Sequence, residues 1–96
     1  MEQKYHIKAL ITNISDKPLL SGYRPAHDIN GYLTTGMHKY TDNDKLGAGE
    51  SVIGYITFIT PELYLDSIKK DNIIDFYEGS KKTGYATVLE IYKKYS

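Results

Sequence analysis

Pro18-Leu19-Leu20-Ser21-Gly22-Tyr23-Arg24-Pro25 decides how this chain is read, because a proline stands at each end. Proline lacks the amide hydrogen that a helix interior needs, and it biases the residue before it toward extended backbone. Leu19 to Ile29 is therefore expected to be extended. The octapeptide also contains Arg24, the only arginine; the other eleven basic residues are lysines. A guanidinium is a planar fork of donors rather than a point charge, so its single use marks a position where geometry matters. Two uses are open. Arg24 either bonds neighbouring carbonyls or a carboxylate and fixes the loop, or it meets a partner directly.

Outward from this segment, β-type signals repeat on both sides. Between Tyr5 and Ile14, residues Tyr5, Ile7, Ala9 and Ile11 alternate with a mixed set, the period-two pattern of a strand. Asn13 to Pro18 ends it with turn chemistry. Asn30-Gly31 is a hairpin dipeptide, and Tyr32 to Tyr40 follows as a strand interrupted at Gly36. Polar turns at Thr41-Asp42-Asn43-Asp44-Lys45 and Leu46-Gly47-Ala48-Gly49-Glu50 lead to the longest apolar strand, Ser51 to Thr60. Thr60-Pro61 has the form of a helix N-cap and first position, which predicts a short helix over Glu62 to Lys69. Asn72 to Glu78 and Tyr85 to Lys93 read as the last strands, joined through Gly79-Ser80-Lys81-Lys82-Thr83-Gly84. Short strands separated by turns predict an all-β barrel or sandwich.

Composition narrows the function classes. Ninety-six residues make one domain, residues 1–96, large enough to fold without covalent staples. The absence of cysteine excludes disulfides, thiolate metal sites and cysteine nucleophiles. The N-terminus lacks the order of a signal peptide, and no apolar run reaches the ~20 residues of a membrane span. The expectation is a soluble, cytoplasmic protein. Twelve basic residues balance twelve acidic ones, whereas dedicated nucleic-acid domains carry net positive charge.

Five segments, in order, resemble the C-terminal β-barrel domain (domain three) of the elongation factor Tu family. They are Pro18 to Pro25; Tyr32-Leu33-Thr34-Thr35-Gly36; Leu46-Gly47-Ala48-Gly49-Glu50; Phe58-Ile59-Thr60-Pro61; and Phe76-Tyr77-Glu78-Gly79-Ser80-Lys81 with Gly84. The resemblance runs from about Tyr5 to Ile91 and implies a closed antiparallel six-stranded β-barrel. It also implies a non-catalytic role, because in that family the domain packs on sister domains and helps to hold tRNA and the exchange factor. The family's arginine-histidine pair that contacts tRNA corresponds here to Ser15 and Asp16, of which the aspartate would repel phosphate. The basic position of the last hairpin corresponds to Lys81, with Lys82 beside it.

Candidate chemistry is sparse. No phosphate-cradling Gly-x-x-x-x-Gly-Lys-Ser/Thr loop is present, so no nucleotide or other cofactor is expected. His6, His27 and His38 are the imidazoles, and none has a partner at metal-ligand spacing. His27 and Asp28 are adjacent, which on a strand turns them to opposite faces. Asp42, Asp44 and Glu50 lack the order of a calcium loop. Tyr5, Tyr55 and Tyr85 fall at alternating positions suited to core or cross-strand pairing. Lys81 and Lys82 in a hairpin tip either solvate the turn or touch phosphate. The resulting expectation is a stand-alone, non-enzymatic elongation-factor-like barrel that binds a protein partner or itself. The alternative is an RNA- or tRNA-binding module. Arg24, Lys81 and Lys82 are the candidate contacts in either case.

Overall fold

The computed structural model describes residues 5–41, 44–60 and 65–92. Its strands are β1 (Ile7–Asn13), β2 (Leu19–Leu20), β3 (Ala26–Ile29), β4 (Tyr32–Tyr40), β5 (Lys45–Leu46), β6 (Ser51–Phe58), β7 (Ile73–Glu78) and β8 (Lys81–Ile91). Six of them close into a barrel in the order β1-β6-β4-β3-β7-β8, and every pairing is antiparallel. Closure leaves no free sheet edge in the barrel. β2 and β5 form a separate two-stranded sheet, with Leu19 opposite Leu46. Among the described residues no helix is long and apolar enough to cross a membrane.

The expected all-β barrel is the observed architecture, and its turns follow local chemistry. Asn30 and Gly31 both have positive φ, +53° and +91°, as a type I′ hairpin requires. The Asp28 carboxylate accepts the Gly31 amide at 2.9 Å and locks that turn. At the β7–β8 hairpin only Gly79 and Ser80 lie outside the strands, with Gly79 at φ +61°. The six-residue link expected there is thus a two-residue turn, and β8 begins four residues earlier than Tyr85. Of the helix expected over Glu62 to Lys69, residues 62–64 lie outside the described residues. The described part holds a single 3-10 turn, Leu65–Ser67.

Alternation fills the barrel. Ile7, Ala9 and Ile11 of β1, Ile56 and Phe58 of β6, Ile74 and Phe76 of β7, and Ala86 and Val88 of β8 are buried together. Two glycines make room for rings in this interior. A Cβ at Gly84 would collide with the Thr12 carbonyl and the Phe76 ring, and one at Gly36 would lie 2.9 Å from the His27 ring. The seam between β3 and β7 is the shortest in the barrel, pairing only Ala26 with Tyr77 and His27 with Phe76.

Candidate functional site

Asn13 organises the surface next to the Pro18–Pro25 segment. It is fully buried at the end of β1. Its amide nitrogen donates to the carbonyls of Lys17 at 2.7 Å and Leu46 at 3.1 Å. Its side-chain oxygen accepts from the Ser15 amide and hydroxyl at 2.9 and 2.7 Å. One side chain thereby shapes the loop after β1 and ties it to β5. Backbone bonds fix the rest: Ser21 N–H donates to Asp44, Gly22 N–H to His38, and His38 N–H to Tyr23. Gly22 takes φ +95°, in the region that favours glycine.

Held this way, residues 15–23 form one wall of a cleft of about 380 Å³ whose other wall is Glu78, Lys81 and Thr83. That volume lies within the range of small-ligand and short-segment sites. Two acids, Asp16 and Glu78, and two bases, Lys17 and Lys81, line it together with Pro18, Leu20 and Tyr23. Tyr23 closes the floor through a 2.9 Å hydrogen bond between its hydroxyl and that of Thr83. Burial, reinforced by nearby Glu78, pushes the Tyr23 phenol up to about 12, so it stays protonated. At the rim Leu20 is 59% exposed. Leu20, Ser21 and Gly22 also line a second depression of about 480 Å³ with Met37, Lys39 and Asp44, so they form a ridge between two hollows.

The structure separates the candidate contacts. Lys81 lines the cleft. Lys82, the next residue on the same strand, instead pairs with Asp75 at 3.0 Å and lies over the Tyr85 ring at 5.7 Å. The two lysines do not share a hairpin tip because β8 starts at Lys81, and neighbouring strand residues alternate faces. Arg24 is exposed, and among the described residues it makes no hydrogen bond or ion pair. Of its two open uses, the loop-fixing one finds no bond among the described residues, where the backbone bonds of Gly22 and Tyr23 hold the loop instead.

Inside the barrel lies a feature the sequence reading did not find. His27 and His38 are both fully buried, with their Nε2 atoms 2.9 Å apart. His38 Nδ1 lies 3.1 Å from the Tyr40 hydroxyl. A consistent proton assignment has Tyr40 donating to His38, and His38 donating through Nε2 to His27. His27 Nδ1 then carries hydrogen near the Pro25 and Thr34 carbonyls, without a hydrogen bond of good geometry. Burial pushes His27 down to about 4 and also holds His38 well below the ordinary imidazole value, where the charge of His27 adds to the effect. Rings of Tyr23, Phe58 and Phe76 pack edge-on or tilted around the pair. Both histidines fall on the inward parity of their strands, and that parity is the signal that could have revealed them. His6 is buried too, accepting the Phe58 amide at 2.8 Å. Among the described residues no three His, Asp or Glu side chains converge as a metal site would require.

Of the core or cross-strand roles expected of Tyr5, Tyr55 and Tyr85, the cross-strand one is observed for the first two. Tyr5 and Tyr55 stack with ring centroids 4.7 Å apart, a cross-strand pair rather than core. Tyr23 and Tyr40 are the ones whose rings reach the histidine pair. Exposed apolar residues are dispersed: Leu10 faces Ile53 across β1–β6, whereas Leu33 and Ile59 flank Thr35 elsewhere on the barrel. No protein-family model and no curated protein matches this chain.

Proposed function

We propose that this barrel is a non-catalytic protein-binding module, similar in build to the C-terminal barrel of elongation factor Tu, and that it engages an extended segment of a partner at the cleft. The observation that carries this reading is the composition of the cleft and its rim. Exposed Leu20 offers an apolar anchor, Asp16, Lys17, Glu78 and Lys81 offer both signs of charge, and exposed Arg24 follows Tyr23 directly. Mixed charge around an apolar anchor suits a polypeptide, whose own side chains carry both signs. It suits a phosphate backbone poorly, because Asp16 and Glu78 line the same cleft as Lys17 and Lys81, and Lys82 is already paired with Asp75.

The test is capture of the tagged chain from lysate of its own cells, with and without ribonuclease. The reading expects a protein that survives ribonuclease and remains bound as salt is raised moderately. Recovery of RNA alone, lost with ribonuclease or with modest salt, would replace it with the RNA-binding alternative.

A further inference from the structure

The Asn30-Gly31 turn combines two properties that bear on its covalent lifetime. Asparagine before glycine is the sequence most open to intramolecular attack, because glycine places no side chain in the path of its own amide nitrogen. Both residues are exposed at the tip of the β3–β4 hairpin. Yet the attacking atom, the Gly31 amide nitrogen, is held: its hydrogen is donated to the Asp28 carboxylate at 2.9 Å. A hydrogen bond to a charged acceptor is among the stronger ones a protein makes. It turns the amide toward Asp28, and the adjacent negative charge opposes the loss of the amide proton that attack requires.

We propose that Asn30 is a site of spontaneous deamidation whose rate in the folded protein is set by Asp28. The chemistry needs only water. The Gly31 nitrogen loses its proton and bonds to the Asn30 side-chain carbon, the carbon–nitrogen bond of the side-chain amide breaks, and ammonia leaves. Water then opens the resulting five-membered imide at one of its two carbonyls, leaving aspartate or isoaspartate at position 30. Isoaspartate adds a methylene to the main chain. A type I′ turn has two residues in fixed left-handed geometry and cannot absorb that insertion. The strand leading into the turn is β3, which pairs with β7 at only two positions, so the modified hairpin loosens the barrel at its shortest seam.

The experiment incubates the full chain at mildly alkaline pH and follows conversion of the Asn30 side-chain amide to a carboxylate by peptide mass spectrometry. Wild type, Asp28→Ala and Asp28→Asn are compared in native buffer and in unfolding concentrations of urea. In native buffer Asp28→Ala is expected to react about tenfold faster than wild type or more, the factor set by losing a hydrogen bond to a charged group. In urea the two rates should converge, since the guard exists only in the fold. Asp28→Asn keeps an acceptor oxygen, so a rate near wild type assigns the guard to the hydrogen bond and a fast rate assigns it to the charge. Equal native rates for wild type and Asp28→Ala would overturn the proposal. So would a native wild-type rate equal to the rate in urea.

Discussion

Acidification should weaken this barrel well before its carboxylates titrate, because two imidazoles are buried neutral at its centre. In the unfolded chain a histidine takes a proton near pH 6.5. In the fold His27 is held down to about 4 by burial, and His38 shifts in the same direction. Between those values the unfolded state binds more protons than the native state, so stability is full above pH 6.5 and declines as pH falls. One pH unit of difference for one group is worth about 1.4 kcal/mol. For His27 the window from 6.5 to about 4 therefore costs about 3 kcal/mol by its lower end, and His38 adds to that. Such a loss is a large share of the ~5–15 kcal/mol that holds a typical domain together. Tyr23 and Tyr40 face the pair, and burial holds both phenols protonated throughout this range. Urea unfolding at about pH 7.5, 6.5, 5.5 and 5, all above the carboxylate range, measures the effect. The double variant His27→Gln with His38→Gln should flatten the slope while lowering stability at neutral pH. A wild-type unfolding free energy that stays level from pH 7 to 5 would refute the reasoning, because two buried neutral imidazoles cannot be insensitive to the protons their unfolded forms take up.

Other substitutions test the scaffold around the cleft. Asn13→Ala removes the four side-chain bonds that Asn13 makes to Ser15, Lys17 and Leu46 and should cost about 2–3 kcal/mol in urea unfolding. Gly84→Ala forces a methyl against the Thr12 carbonyl and the Phe76 ring and should destabilise by about 1–3 kcal/mol, with shifted Phe76 ring signals in proton NMR. Lys82→Ala should change stability by less than about 1 kcal/mol, since both partners of its ion pair are more than a third exposed.

How much of this was legible beforehand depended on range. The all-β architecture and the Asn30-Gly31 hairpin came from signals contained within a few residues: alternation, proline placement and a turn dipeptide. The choice of a closed barrel over a sandwich came instead from the resemblance to the elongation factor Tu domain. Errors arose where local composition and strand pairing disagreed. Lys81, Lys82 and Thr83 look like loop residues, but a two-residue turn at Gly79-Ser80 commits them to β8, with Lys81 and Lys82 opposite Glu78 and Tyr77. The histidine pair was missed for a similar reason. His27 and His38 lie eleven residues apart on neighbouring strands, a spacing with no meaning until the barrel brings both rings inward. The cleft needs three separate facts that no motif encodes: a buried Asn13, a left-handed Gly22 and a Tyr23–Thr83 bond spanning sixty residues.

The central claim is that the cleft beside residues 15–23 is where a partner protein sits. Its most direct test is capture from lysate with two variants side by side, Leu20→Asp at the cleft rim and Ile53→Asp on the outer face of β6. Both positions are exposed, so both variants should fold, as circular dichroism would verify. The account predicts that the ribonuclease-resistant partner is lost with Leu20→Asp and retained with Ile53→Asp. Retention with Leu20→Asp and loss with Ile53→Asp would place the binding surface on the outside of the barrel and contradict it.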